Sequence, residues 1–175
     1  SAASDVYKRQ FQGSALFDSL TVKENVAFPL KMFTKMSDDQ INDRVNFCLN
    51  RVNIVNKNEL FPSELSGGMQ KRVAIARAIS MQPKYLFCDE PNSGLDPVTA
   101  IVIDELIKEI TDEFNMTTVV ITHDMNSVLE IGENILFIDE GVNKWVGNKN
   151  EILDVKVKEL YDFIYVSKFL QQMKK

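Results

Sequence analysis

PSELSGGMQKRVAIARAI, residues 62–79, places Ser-Gly-Gly directly before a run of small apolar and basic residues. Ser66 is a favourable helix N-cap, and the alanine-rich run after it predicts a helix that extends to about Met81. Gly67 and Gly68 would let backbone N–H groups approach an anion, and the helix dipole favours negative charge at the same end. A lone Ser-Gly-Gly is as often a plain helix cap, so the residues around it decide its meaning.

A pair of carboxylates follows this helix at the end of a short apolar run. Residues 85–88 have the composition of a buried parallel strand, and Asp89 and Glu90 stand at its C-terminal tip. One carboxylate there can hold Mg²⁺, and its neighbour can polarise an attacking water. Many such pairs only cap a helix or face solvent, but here Pro91 and SGLD at 93–96 follow directly.

Helical and strand-like segments alternate along the rest of the chain. Residues 37–52 predict an amphipathic helix, because Ser37 is a good N-cap and apolar residues recur at three- and four-residue steps. Residues 17–30 predict a loop leading into a short helix that ends at Pro29. The alternation predicts an α/β architecture with a mainly parallel sheet and an inserted helical lobe at about 17–81. Further helices are predicted at 97–114, 124–131 and 157–173, and strands at 117–122, 135–139 and 145–146.

Composition excludes several classes of function. The chain of 175 residues is 45% hydrophobic and 26% charged, which is ordinary for a globular domain with a sizeable core. Its net charge of −5 comes from interspersed acids and bases, so we expect no nucleic-acid partner. Cys48 and Cys88 have no metal-type spacing, which favours a reducing compartment, and Cys88 is predicted to lie in the core. No apolar run reaches roughly 18–20 residues, so a role at a membrane would depend on a partner.

The motifs together resemble those of the ATP-binding-cassette (ABC) ATPases. Residues 65–68 and the AIARA helix resemble the family's signature motif, YLFCDE its Walker B strand and catalytic glutamate, and SGLD its D-loop. The resemblance implies ATP and Mg²⁺ as cofactors, with Glu90 activating the attacking water and Asp89 holding Mg²⁺. Asn92 stands where the family often has Thr or Ser. The resemblance also implies that ATP is bound by the signature and D-loop residues Ser66, Gly67, Gly68, Gln70 and Asp96.

Two further positions gain meaning only from the resemblance. FQGSALFDSLTVKENV, residues 11–26, resembles the family's Q-loop and the segment after it, which implies that Gln12 contacts both Mg²⁺ and the attacking water. His123 is the only histidine and directly follows the predicted strand TTVVIT. A lone histidine at a strand end is more often structural, but the family places there its switch histidine, which contacts the γ-phosphate. Chromosome-maintenance ATPases share the signature but insert a long coiled coil, and no heptad array occurs here.

One motif of the family does not occur in the sequence. None of the glycines belongs to a G-x-x-x-x-G-K-[ST] P-loop, whose backbone and lysine grip the phosphates. The family carries this motif before the Q-loop, so we expect an N-terminally truncated chain without its first β-subdomain. The sheet of such a chain should expose apolar edges. We also expect the chain by itself to bind ATP weakly and to turn over none.

The first ten residues, SAASDVYKRQ, show no cassette pattern. They match the in-frame translation of the end of a common transposase-type sequencing adapter. We therefore expect residues 1–10 to be non-native and set them aside from the predicted fold. The predicted organisation is then an ABC ATPase fragment at 11–156 and a C-terminal helical extension at 157–175.

The resemblance implies a function for the intact protein. It would hydrolyse ATP as a dimer, most simply a homodimer, with each ATP held between one subunit's P-loop and the other's signature motif. Closure of the dimer would drive a transmembrane permease, through a contact that we predict at residues 12–25. The subunit would be cytoplasmic and peripheral on the inner face of a bacterial inner membrane.

Two segments of the sequence suggest a cargo. FQGSALFDSLTVKENVAFPL and PSELSGGMQKRVAIARAI resemble the ATPases of Mla/Mce-type systems, which move phospholipids between envelope membranes. This resemblance predicts a phospholipid cargo and an Mce-type substrate-binding protein as a further partner. Two alternatives stay open: a transporter of an amino acid, peptide or lipoprotein, and a non-transport ABC protein of translation or repair.

Overall fold

The computed structural model describes residues 15–165 and, for Tyr7–Gln10, the backbone alone. Between Thr122 and His123 the chain divides into two compact units. Gln12 lies outside the described residues, and so do residues 166–175 of the predicted C-terminal extension.

A parallel sheet forms the strand layer of the first unit. Its order is β1 (Tyr7–Gln10), β2 (Tyr85–Asp89) and β3 (Thr117–Ile121), and both pairings are parallel. Leu86 and Cys88 of β2 are fully buried, and burial raises the pKa of the Cys88 thiol to about 12. The predicted α/β class, with a buried parallel strand before the carboxylate pair, is confirmed.

Strand β3 carries apolar side chains that face solvent. Val119 is 41% exposed and Ile121 is 51% exposed. They lie on the same face of the sheet as Phe87 and Asp89, their register partners on β2. β3 is the last strand of the described sheet, and the exposure of apolar sheet edges by truncation stays a prediction.

Strand β1 lies within the first ten residues of the chain. The sequence favours setting residues 1–10 aside, yet the segment Tyr7–Gln10 pairs with β2 from Tyr85 to Cys88. This pairing uses backbone N–H and C=O groups, which almost every residue carries, so a segment without a cassette pattern can still supply a strand. The adapter origin of residues 1–10 stays a prediction.

The helices of the first unit lie close to their predicted positions. α2 and α3 begin after the predicted N-caps Ser37 and Ser66. α1 and α2 each open with a capping box, in which a hydroxyl and an acidic or amide side chain satisfy backbone donors reciprocally. The helix bounds are α1 (Val22–Phe33), α2 (Asp38–Arg51), α3 (Gly67–Ile79) and α4 (Pro97–Glu113).

Helix α1 is longer than the sequence predicts. The predicted end at Pro29 is wrong, because the helix continues to Phe33. A proline inside a helix removes one hydrogen bond and costs about 3 kcal/mol. Pro29 is buried, however, together with Val26 and Leu30 on the same helix, and α1 packs on α3. Burial of this apolar face offsets the local cost.

Arginines of α2 tie the other helices together. The guanidinium of Arg44 donates to the carbonyls of Ile79 and Ser80 at 3.0 and 2.9 Å, which caps the C-terminal end of α3. Arg51 forms an ion pair with Glu113 of α4. Helix α2 therefore holds both helices that carry residues of the candidate site.

The second unit has its own small core. Ile152, Leu160 and Ile164 are buried in it, and Phe137 and Trp145 pack against them. No helix in the described part of the chain is both long and apolar enough to cross a bilayer. The elements of this unit are α5 (Met125–Ile131), the antiparallel hairpin of β4 (Ile135–Asp139) and β5 (Val142–Gly147), and α6 (Lys158–Ile164).

Candidate nucleotide site

The candidate site begins at the N-terminus of α3. Ser66 is the N-cap, and its hydroxyl oxygen accepts a hydrogen bond from the N–H of Met69 at 3.3 Å. Ser66 and Gly67 are exposed, so a ligand can reach the first turn of the helix. Such a turn favours phosphate, because unsatisfied N–H groups and the positive end of the helix dipole coincide there.

The two glycines of this turn have different surroundings. A Cβ on Gly68 would lie 2.6 Å from Cγ2 of Thr99, so this position has no room for a side chain. A Cβ on Gly67 would lie 3.5 Å from Cδ2 of Leu95, which is an ordinary contact. Close packing of α3 on the start of α4 therefore requires Gly68, whereas Gly67 lies on the exposed side of the turn.

Asp96 caps α4 beside the same turn. Its carboxylate accepts hydrogen bonds from the N–H of Val98 at 3.1 Å, the N–H of Thr99 at 3.0 Å and the hydroxyl of Thr99 at 2.5 Å. The hydrogen bond from the Thr99 hydroxyl, followed by the backbone donors, lowers the pKa of Asp96. Because Thr99 also contacts Gly68, one threonine joins the D-loop to the signature turn.

Gln70 faces the segment that leads into the signature turn. Its Nε2 donates to the carbonyl of Pro62 at 2.9 Å and to the carbonyl of Leu65 at 3.3 Å. These bonds hold the segment that precedes Ser66, so Gln70 supports the signature turn in the structure. Its predicted contact with ATP stays a prediction.

The carboxylate pair stands at the C-terminal end of β2. Asp89 is the last residue of the strand, and Glu90 follows with a left-handed φ of 49°. A non-glycine residue in this region costs about 1–3 kcal/mol and persists only where its surroundings hold it. The N–H of Glu90 donates to the carbonyl of Ile121 at 2.8 Å, and its carbonyl accepts from the N–H of Ser93 at 3.2 Å.

A lysine that the sequence did not single out completes this part of the site. Lys71 of α3 is 4% exposed, and its Nζ donates to the carbonyl of Glu90 at 3.2 Å. Burial lowers the pKa of Lys71, and the nearby charges of Glu90 and Asp89 partly oppose that shift. A charged residue on the buried face of an alanine-rich helix was the sequence signal that could have found it.

Asn92, which departs from the family pattern, belongs to a buried pair. Its amide donates to Asp104 of α4 at 2.7 Å, and both side chains are buried. An amide can supply this hydrogen bond as a hydroxyl would, so the departure leaves the loop between β2 and α4 anchored.

Asn25 anchors the segment that follows the Q-loop phrase. It is fully buried; its Oδ1 accepts from the N–H of Phe17 at 2.9 Å, and its Nδ2 donates to the carbonyls of Phe17, Leu20 and Thr21. A residue used in this way shapes the loop and has no surface to offer a partner. The predicted permease contact at residues 12–25 stays a prediction, in which the buried Asn25 would act by shaping the loop.

Exposed aromatic residues form the available surface of this segment. Arg77 of α3 donates to the carbonyl of Ala15 at 2.9 Å and to Oδ1 of Asn25 at 3.4 Å, and its guanidinium lies 5.6 Å from the centre of the Phe17 ring. The rings of Phe17 and Phe28 lie 4.8 Å apart, and both are partly exposed. Helix α3 is therefore joined at one end to the signature turn and near the other to this aromatic surface.

Two predicted site residues lie outside the described first unit. Gln12 is not among the described residues. β3 ends at Ile121, one residue earlier than the predicted strand, so Thr122 separates it from His123, which is exposed and is the first residue of the second unit. The first unit thus joins the signature turn, Asp96 and the Asp89–Glu90 pair through Thr99 and Lys71, while the roles of Gln12 and His123 stay predictions.

The donor groups of the first unit suit a nucleoside triphosphate with Mg²⁺. An exposed helix N-terminus suits phosphate, and an aspartate at a strand end suits Mg²⁺. Within residues 15–165, no three His, Cys, Asp or Glu side chains cluster as a complete metal site. A Mg²⁺ held by Asp89 would share its coordination with phosphate oxygens, as in other nucleotide hydrolases.

Comparison with known proteins places this arrangement in a family. The family model described as ABC transporter matches residues 4–93, about half of the chain. The chain belongs to the ABC transporter ATP-binding family. The predicted ABC ATPase resemblance is therefore confirmed at the level of the family.

One relative gives a more specific comparison. The methionine import ATP-binding protein MetN of Haemophilus ducreyi is 42% identical over 142 residues, which cover 81% of this chain and 41% of that protein. The chain spans about two fifths to one half of the length of the first curated relatives that it matches.

Solved structures agree with the fold. CbiO1 from Clostridium perfringens, part of the ABC transporter complex cbiONQ, has a TM-score of 0.80 at 30% identity, covering 98% of this chain and 68% of that one. The ATP-binding cassette MJ0796, in a dimeric post-hydrolysis state bound to ADP and Pi, has a TM-score of 0.74 at 34% identity, covering 83% and 63%.

Proposed function

We propose that the whole protein is the ATP-hydrolysing subunit of an ABC transporter and that it powers a membrane permease. The observation that carries this proposal is the junction in the first unit. The exposed signature turn packs through Gly68 on the D-loop helix, and Lys71 joins it to the carbonyl of Glu90. A phosphate-binding turn and a water-activating carboxylate are thus parts of one rigid arrangement, as transport-coupled hydrolysis requires.

Each residue has one task in this proposal. The first turn of α3 binds a phosphate of the ATP held by a second subunit, and the dimeric state of MJ0796 is one reason to propose a homodimer. Asp89 and Gln12 hold Mg²⁺, which neutralises charge on the phosphates. Glu90 accepts a proton from the attacking water, and His123 contacts the γ-phosphate.

The relatives favour an amino acid as the cargo. Curated relatives at about 40% identity are named for methionine import. The predicted phospholipid cargo and Mce-type partner have no support among them, whereas the alternative prediction of an amino-acid transporter does. We therefore propose import of methionine or a similar amino acid.

The permease should dock on the aromatic surface of Phe17 and Phe28, which would bring the subunit to the cytoplasmic face of the inner membrane. Phe28→Asp should reduce stimulation of ATP hydrolysis by the permease and leave basal hydrolysis unchanged. Phe47→Asp is the matched control, since Phe47 is exposed to a similar extent on α2. Equal loss of stimulation in both variants would contradict this docking surface.

The experiment that tests the function uses the whole protein with its permease in proteoliposomes. We expect MgATP hydrolysis that the permease stimulates, and uptake of labelled methionine that depends on ATP. Transfer of a labelled phospholipid without methionine uptake would overturn the proposed cargo, and absence of ATP hydrolysis would overturn the function. The chain of residues 1–175 by itself should turn over no ATP, because its sequence contains no P-loop.

A further inference from the structure

Lys71 is a buried cation that the proposed chemistry does not yet use. It is 4% exposed, lies one turn after Gly67 and Gly68 on α3, and donates to the carbonyl of Glu90 at 3.2 Å. A buried ammonium group is costly unless its protons are hydrogen-bonded. Its burial at this position therefore calls for a specific explanation.

The partner of Lys71 is a backbone group in an unfavourable conformation. Glu90 has a φ of 49°, a left-handed value that residues with a Cβ rarely adopt. Its N–H is held by the carbonyl of Ile121, and its carbonyl is held by the N–H of Ser93 as well as by Lys71. Among these three contacts the one from Lys71 comes from a side chain, so a substitution at Lys71 removes it without altering the backbone.

We propose that Lys71 is a positioning residue for ATP hydrolysis: by holding the Glu90 carbonyl, it sets the direction of the Glu90 carboxylate and links it to the signature turn of the same subunit. This inference rests on the proposed function. The backbone conformation at Glu90 determines where its Cβ points, so the contact made at the carbonyl controls where the carboxylate meets the attacking water. Misplacement of a reacting group by about 1 Å can cost about 10²-fold in rate.

The test compares Lys71→Met and Lys71→Arg in the whole protein. Lys71→Met removes the donor and should lower kcat for ATP hydrolysis by about 10²-fold, with KM for ATP changed less than about twofold. Lys71→Arg keeps a donor and should recover part of kcat. Lys108→Met is the matched control, since Lys108 is exposed on α4, and it should leave kcat unchanged.

A double variant separates positioning from a general effect on folding. In a Glu90→Gln background, Lys71→Met should cause no further fall in kcat, because the group that it positions has been removed. A full and independent fall in that background would overturn the inference, and so would an unchanged kcat in folded Lys71→Met. If Lys71→Met does not fold, Lys71→Leu, which also lacks a donor, is judged by the same criteria.

Amide hydrogen exchange tests the inference without reference to activity. In Lys71→Met the N–H of Ser93 should exchange about tenfold faster than in the unsubstituted protein, because the turn that begins at Glu90 has lost one of its supports. Lys108→Met should show no such change. Unaltered exchange at Ser93 in Lys71→Met would overturn the positioning role even in a protein that hydrolyses no ATP. Absence of hydrolysis in the unsubstituted protein would overturn the proposed function instead.

Discussion

The signature turn and the carboxylate pair are held in place by different means. The turn depends on contacts close in sequence, such as the bond from the Met69 N–H to Ser66. The carboxylate pair depends on distant residues, since Glu90 is held by Ile121 of another strand and by Lys71 of a helix. The hydrogen bonds of the candidate phosphate-binding turn are therefore local, although Gly68 also packs on Thr99, whereas the conformation at Glu90 depends on the packing of the whole first unit.

The largest expected effect comes from a substitution that removes the function of the carboxylate pair and leaves the fold intact. Glu90→Gln in the whole protein should lower ATP turnover by roughly 10²–10⁴-fold, because an amide cannot accept the proton of the attacking water. The denaturation midpoint should stay nearly unchanged, since the backbone bonds of Glu90 are kept. Steady-state ATPase assays and urea unfolding measure the two quantities.

Glu105→Gln supplies the control for this prediction. Glu105 is an exposed residue of α4, so its substitution should leave turnover unchanged. Normal ATP turnover in Glu90→Gln would show that Glu90 does not activate the attacking water. The two halves of the site would then not differ in the way proposed.

The second prediction tests whether packing prevents the signature turn from accommodating a side chain at Gly68. Gly68→Ala should destabilise the chain by about 1–3 kcal/mol, because the new methyl group would overlap Cγ2 of Thr99. Gly67→Ala meets only an ordinary contact, and alanine favours a helix by about 1 kcal/mol over glycine, so it should be neutral or slightly stabilising. Urea unfolding of the two variants measures the contrast.

A second substitution identifies the cause of the Gly68 effect. Thr99→Ser removes Cγ2 and keeps the hydroxyl that donates to Asp96. Gly68→Ala combined with Thr99→Ser should therefore recover most of the lost stability. An undiminished loss in the double variant would show that Thr99 is not the limiting neighbour.

The smallest effect concerns the pH dependence of the cap at Asp96. Its pKa in the folded state is lower than in the unfolded chain, chiefly because the Thr99 hydroxyl donates to the carboxylate. The stabilisation from this group is therefore present above the unfolded pKa, near 4, and is lost as the pH falls through the folded value. Asp96→Asn still caps the helix but does not titrate.

The measurement compares urea midpoints of Asp96→Asn and the unsubstituted chain at about pH 5 and below about pH 3, on either side of the ordinary aspartate pKa. The unsubstituted chain should have the larger advantage at the higher pH, and the difference between the two should shrink at the lower pH. A difference that is independent of pH would mean that the carboxylate of Asp96 is not held by Thr99.

Much of the fold followed from local patterns in the sequence. Ser37 and Ser66 predicted the starts of α2 and α3, and the apolar run before Asp89 predicted β2, because caps and buried strands are encoded by neighbouring residues. The prediction failed at Pro29, where burial against α3 outweighs a local helix breaker. It made no statement about Tyr7–Gln10 as a strand, because backbone pairing with β2 needs no sequence pattern.

The functional residues also divide into those that the sequence predicts and those that only the structure reveals. The sequence by itself determined the family, and it predicted the signature turn, the Walker B pair and the D-loop, because each is a short motif whose chemistry depends on adjacent residues. Only the tertiary structure decided that Gly68 is required by Thr99, that Asn25 is buried and that Lys71 holds Glu90. These contacts join residues far apart in the chain, and whether a buried polar group finds a partner depends on which elements the fold brings together.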